Sequence, residues 1–315
     1  MKYFDMHCDT LYELYHQKES LRDTQKLHIN LEKAADFDQY AQFFAMFCGT
    51  TEVVNEAEAA YRLESLLEIA EREFAENEKS IQLCHTGKEL QAVQQAGKTA
   101  AFLTVEGADL LPNEKMLCRA GDAGVRLVTI TWNHRNRYGC PACLNQQEGL
   151  TAEGFSFVRS CEEKKILVDA SHLSDAGFYD LLRKAQRPFV ASHSNSRAVC
   201  PAVRNVTDEM FRELVDMGGV LGINLCPSFL YPKDGGRAAN IEDIIRHIDH
   251  LLELGGENTL CMGADWDGID ALPDGMESLS SVPLLRNALQ ARGYSEKLLN
   301  KIFYDNLADF VSRWL

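Results

Sequence analysis

Eight short apolar runs, separated by stretches of helical periodicity, constrain this chain more than any other feature. The first is carried by Tyr3, Phe4 and Met6, and the second closes residues 35–48 with Phe43-Phe44-Ala45-Met46-Phe47. The others lie at 99–105, 125–131, 166–169, 188–192, 219–224 and 260–263. All read as buried strands. Between them, Leu63, Leu66, Leu67, Ala70 and Phe74 recur at helical spacing, which predicts a long amphipathic helix over 56–78. Further helices are predicted over 88–95, 115–123, 152–164, 175–185, 208–217, 241–254, 283–292 and 295–314, with Ser174 and Thr207 placed as caps. Eight alternations of this length predict a parallel barrel with helices outside. Periodicity does not by itself separate a closed barrel from an open doubly wound sheet. The lack of a GxGxxG turn after the first strand counts against the nucleotide-binding form of the latter. The expected fold is α/β, a (β/α)8 TIM barrel forming a single domain over residues 1–315, with no linker to divide it.

The formal net charge of −15 argues against nucleic acid or an anionic membrane as partner, since both require basic patches. No apolar run approaches the length of a membrane span, and nothing ahead of the first strand reads as a signal peptide. The expectation is therefore a cytoplasmic protein whose ten cysteines are reduced and mostly buried. Cys140-Pro141-Ala142-Cys143 lacks the second CxxC of a zinc knuckle and opens no thioredoxin-like unit, so these are expected to be loop cysteines.

The chemistry sits where the strands end. His7 and Asp9, two apart at the end of the first run, aim an imidazole and a carboxylate to one face if the chain there is extended. A zinc-type metal accepts both. The third run ends in Glu106, the fifth leads to His172, the sixth to His193, and the eighth to Asp265 and Asp267. A barrel gathers these ends at one mouth. Three histidines with two or three carboxylates exceed what one zinc needs and fit a binuclear site with a bridging carboxylate, where two metals share and deprotonate one water. Singly, each of these residues is explained as a cap or a turn residue; jointly, on one side of the strands, they are not. His16, His28, His85, His247 and His250 fall in helical or loop segments and are taken as ordinary.

These residues carry a resemblance. The chain resembles the membrane (renal) dipeptidase family of zinc peptidases, within the wider amidohydrolase-like group of metal-dependent hydrolase barrels. The matching stretches are Asp5-Met6-His7-Cys8-Asp9-Thr10, Val105-Glu106-Gly107, Gly124-Val125-Arg126, Gly149-Leu150-Thr151 with Gly154, Val168-Asp169-Ala170-Ser171-His172, Ser192-His193-Ser194, Arg204-Asn205 and Gly263-Ala264-Asp265-Trp266-Asp267-Gly268. The likeness runs through Asp305-Asn306. It implies two Zn2+ per chain, one held by His7 and Asp9, the other by His172 and His193, with Glu106 bridging. It implies that Arg204 pairs with the substrate's C-terminal carboxylate. Asp265 would take a proton from the bridging water and pass it to the leaving amine. The substrate implied is a small dipeptide, with a D-residue tolerated at the C-terminal position; a homodimer is left open.

One departure bears on substrate range. The family's Thr-x-Thr-His segment, whose histidine contacts the substrate, reads Thr129-Ile130-Thr131-Trp132 here, with His134 two residues on. Either His134 takes over that contact through a loop shift or the contact is lost. The departure keeps open a hydrolase of a non-peptide amide or ester on the same site. A non-catalytic metal binder is the remaining alternative, against which Asp265 counts, because a binder needs no proton shuttle.

Overall fold

The computed structural model describes residues 1–47, 49, 55–232 and 236–315; Cys48, at the end of the second expected strand segment, lies outside them. Nine parallel strands run β1 (Lys2–Cys8), β2 (Gln39–Phe47), β3 (Ile81–Leu83), β4 (Thr99–Glu106), β5 (Val125–Thr129), β6 (Leu167–Asp169), β7 (Val190–Ala191), β8 (Val220–Ile223) and β9 (Leu260–Met262). Eight close a ring in the order β1-β2-β4-β5-β6-β7-β8-β9, with β9 returning to β1. The expected TIM barrel is therefore closed. β3, which the sequence does not signal, is a three-residue strand pairing with the start of β4.

Strand alternation divides the apolar residues between two sides of the ring. Phe4, Phe43, Phe102, Leu127, Leu167, Val190, Val220 and Cys261, one from each ring strand, share an inner cluster with Leu307, Phe310 and Val311 of the C-terminal helix Asn306–Trp314. The rings of Phe4, Phe43 and Phe102 stack at centroid distances of 4.8 to 5.8 Å. This is the floor of the barrel. The alternate residues Phe44, Leu103, Val128, Val168, Ala191, Leu221 and Met262 belong to the outer cluster, together with Leu63, Leu66 and Leu67 of the long helix Glu56–Glu76. Each large side chain so buried contributes about 1.5–3 kcal/mol.

The predicted helices are present with ends shifted by a residue or two. Ser174 Oγ accepts the Gly177 N–H (3.0 Å) and Thr207 Oγ1 the Met210 N–H (3.2 Å), as their positions suggested. The predicted segment 295–314 is interrupted by a π turn, Lys301–Asp305, between Glu296–Asn300 and Asn306–Trp314. Helix Thr10–Gln17, which follows β1 directly, was not predicted; Asp9 provides no side-chain cap that would mark it. The nine described cysteines are free thiols, six of them buried and Cys143 exposed. Among the described residues no helix is long and apolar enough to cross a membrane.

Candidate metal centre

His7 reaches the interior because β1 is irregular. Phe4 and Met6 both belong to the inner cluster, so strict alternation would turn His7 outward. The register against β2 shifts between Asp5 and Cys8, and this bulge turns the His7 ring inward as well. Asp5 supports the irregular backbone: its carboxylate accepts the N–H of His7 (3.0 Å) and of Ala264 (3.2 Å), and the Tyr3 hydroxyl. The His7–Asp9 pair forms, though not by strand spacing. Asp9 lies beyond β1, at the turn into helix Thr10–Gln17, with Oδ2 3.4 Å from His7 Nε2.

The expected ligand residues converge. Glu106, the last residue of β4, divides its oxygens: Oε2 lies 3.6 Å from His7 Nε2, while Oε1 lies 3.1 Å from His172 Nε2 and 3.3 Å from His193 Nε2. His172 Nδ1 donates to Asn133 Oδ1 (2.9 Å). His193 Nδ1 donates to Ser192 Oγ (2.7 Å), whose own proton goes to Asp169 Oδ2 (2.5 Å). With both Nδ1 protons committed, the two Nε2 atoms present lone pairs to each other at 3.0 Å and to Glu106 Oε1. Converging acceptors with no proton between them form a place a cation relieves. On the other side both nitrogens of His7 and Oδ1 of Asp9 are buried without a hydrogen-bond partner among the described residues. Donor atoms of His7, Glu106 and His193, and of His7, Asp9 and Asp265, lie within 4.8 Å of one another. The residues present fit a metal.

Electrostatics divide the cluster the same way. Burial penalises a charge on His7, but Glu106 and Asp9 outweigh it and hold His7 well above ordinary histidine. Burial, then the Arg204 charge, lowers His172 to about 4. Burial, then His7, holds His193 well below the usual value. Burial, reinforced by Glu106, raises Asp9 to about 7. Burial also raises Asp265, with Glu106 adding to it and His7 opposing.

Backbone geometry is special here. His172, Asp265 and Asp267 have φ of 68°, 64° and 63°, the left-handed region that side chains rarely adopt. A Cβ at Gly268 would lie 2.1 Å from Asp9 Oδ2 and 2.5 Å from Asp265 Oδ1, so a side chain there would have to displace these carboxylates. Asp265 Oδ1 sits 3.8 Å from His7 Nε2, and Oδ2 accepts from Asn224 Nδ2 (3.0 Å).

A cavity of about 770 Å³ opens over the cluster, with Asp9, Glu106, His172 and Asp265 in its lining. Arg204 is buried beside it: its guanidinium stands 5.4 Å from the ring of Phe229, which lines the cavity, and Nη2 donates to His193 O (3.3 Å). Its Nε has no hydrogen-bond partner among the described residues. His134 does not line the cavity. It turns to Asp109 (Nε2–Oδ1 3.1 Å), and Trp132 and Asn133 line the cavity instead.

Several contributors escaped the sequence reading. Asn224 directly follows β8 and Ser192 directly follows β7, so the strand-end rule that selected the other residues would have selected both. Asn133, four residues past β5, carries no such signal. His28, taken as ordinary, lines the cavity, and its Nδ1 accepts the Asp267 N–H (2.9 Å).

A closed parallel barrel with a histidine–carboxylate cluster at its mouth defines a barrel of the metal-dependent hydrolase type. The chain belongs to the membrane dipeptidase family (peptidase family M19), whose description matches residues 1–311. It is 34% identical over 249 residues, 76% of this chain and 91% of the relative, to an uncharacterized Klebsiella pneumoniae protein in the pqqA 5' region. Among solved structures it is similar to a dipeptidase AC of family M19 (TM-score 0.91, 27% identity, 100% and 98% of the two chains covered). It is equally similar to a metallo peptidase from Rhodobacter sphaeroides liganded with a phosphinate mimic of the dipeptide L-Ala-D-Ala (TM-score 0.90, 26% identity, 100% and 99% covered). Membership in a metallopeptidase family makes metal-dependent hydrolysis the class of chemistry.

Proposed function

We propose that this protein is a zinc-dependent dipeptidase holding two Zn2+ per chain. The observation that carries the reading is the divided Glu106 carboxylate, one oxygen toward His7 and the other toward His172 and His193. His7 and Asp9 would hold one ion and His172 and His193 the other, with the Glu106 carboxylate shared between them. Imidazole and carboxylate donors suit zinc. When bound, the ions supply Lewis acidity, polarising the scissile carbonyl and acidifying water.

The chain's own residues do the rest. Arg204, a buried guanidinium making no ion pair with a described residue, receives the substrate's C-terminal carboxylate through its planar fork. Asp265, oriented by Asn224, accepts the proton of the attacking water and delivers it to the leaving amine nitrogen. The mimic bound by the Rhodobacter sphaeroides relative supports tolerance of a D-residue at the C-terminal position. Trp132, in the cavity lining where the resemblance implies a histidine, favours a second reading, hydrolysis of a non-peptide amide or ester.

The test is release of free amino acids from matched L–L and L–D dipeptides by zinc-loaded protein, with a chelated control. Metal-dependent release is expected. No release from protein carrying both zincs would overturn the dipeptidase reading in favour of the second.

A further inference from the structure

One wall of the cavity is aromatic and takes no part in holding the metals. Phe47 ends β2, Trp132 follows β5, and Tyr12 stands on helix Thr10–Gln17 after β1; all three line the cavity. Their rings form an edge-to-face row, Tyr12 to Phe47 at 5.1 Å and Phe47 to Trp132 at 4.8 Å. Trp132 continues toward the metal cluster, 6.3 Å from the His172 ring. All three are half-buried, with ring surface left open to the cavity rather than sealed into the core. Partly open aromatic rings in a pocket otherwise floored by charged groups mark a place for apolar substrate surface.

The position of the wall says which part of the substrate it meets. Around the ring β1-β2-β4-β5-β6-β7-β8-β9, the wall rises from the first, second and fourth strands. Arg204 follows β7 and Phe229 follows β8, so they stand across the mouth from Phe47. A dipeptide anchored at Arg204 by its carboxylate, with its amide over the metal cluster, extends its other residue toward the wall.

We infer that Tyr12, Phe47 and Trp132 form the subsite for the side chain of the N-terminal residue, and that they select large apolar, above all aromatic, side chains there. The inference rests on the dipeptidase reading and deepens it. Trp132 continues the row from Phe47 toward the histidine cluster and so adds apolar surface beside the reacting amide.

The experiment compares kcat/KM for Phe-D-Ala and Leu-D-Ala with Ala-D-Ala, and for Ala-D-Phe as the reversed control, in zinc-loaded protein. Wild type, Phe47→Ala, Trp132→Ala and Trp132→His are each measured, with metal content per chain reporting that the barrel is intact. A wild-type preference of about tenfold or more for Phe over Ala at the N-terminal position is expected, falling to about two- to threefold in Phe47→Ala and in Trp132→Ala. Trp132→His keeps a planar ring at the position while removing most of the apolar surface, which separates loss of that surface from loss of folding; its preference falls likewise. Equal losses on every substrate, with the ratio unchanged, would overturn the inference and leave the wall a shield against water. A preference that follows the C-terminal residue would overturn it as well. Cleavage of dipeptides with no N-terminal preference defeats this inference alone, whereas cleavage of none defeats the dipeptidase reading with it.

Discussion

The two sides of the Glu106 carboxylate aim their histidines by different means. His172 and His193 are held through side chains: each donates its Nδ1–H in a hydrogen bond, to Asn133 Oδ1 and to Ser192 Oγ (itself donating to Asp169), and so offers a lone pair at Nε2. His7 has no such partner among the described residues; it is aimed by a bulge in β1, which the buried Asp5 carboxylate supports. A fourth buried histidine, His247, completes the contrast. Its Nδ1 accepts the Ser196 N–H (3.1 Å) and its Nε2 donates to Leu230 O (3.1 Å). A ring with both nitrogens satisfied is structural; a ring with one committed is an oriented ligand candidate; a buried ring with neither satisfied calls for a partner the chain does not provide.

The largest test of this comparison is Glu106→Gln. It removes the group both sides share, so both metals and all detectable turnover should be lost. Metal analysis that still finds two ions per chain would show that the sides are independent. Next, Asp265→Asn should retain both metals while turnover falls by about 10²–10⁴; near-wild-type rates would remove Asp265 from proton transfer.

A smaller effect separates the two sides. Ser192→Ala and Asn133→Leu each take away an Nδ1 acceptor and should weaken zinc binding at the His172–His193 side by about 10–100-fold. Gly268→Ala should instead weaken the His7–Asp9 side, since its Cβ displaces Asp9 Oδ2. Zinc titration with a competing chelator resolves the two affinities, and the comparison breaks if all three variants weaken the same one.

The smallest effect concerns His247, which burial holds neutral with a pKa of about 4. Since the folded value lies below the unfolded one, its contribution is complete above about pH 6.5 and is lost as pH falls toward the folded value. Between about pH 7 and about pH 5.5 the loss is about 1 kcal/mol. Urea unfolding of wild type and His247→Gln at both pH values reads it: the variant should be less stable at neutral pH but show the smaller decline. An equal decline in both would assign the acid sensitivity elsewhere.

Much of the fold was legible because its signals are local. A buried strand and an amphipathic helix each announce themselves within about ten residues, and their strict alternation leaves few topologies. The ligand candidates were legible for a related reason: in a parallel barrel every strand's C-terminal end faces the same mouth, so position along the chain stands in for position in space. The same rule reaches Asn224 but not Asn133, which lies four residues past β5, in a loop whose path no periodicity describes. Nor could it choose between Trp132 and His134. Two residues apart in the same loop, one lines the cavity and the other pairs with Asp109.

By itself, then, the order of residues determined the strand–helix alternation and put His7, Asp9, Glu106, His172, His193 and Asp265 at or just past strand ends; closure of the ring is what gathered them at one mouth. Tertiary structure decided how those side chains are presented. The bulge that turns His7 inward, the left-handed backbone at His172 and Asp265, and the protons that leave Nε2 free on two histidines depend on groups far apart in the chain. Asp5 meets Ala264 only once β9 returns to β1, and Asn133 meets His172 only once β5 and β6 have paired. Periodicity reports which face a residue prefers; hydrogen-bond partners brought together by closure decide where its atoms point.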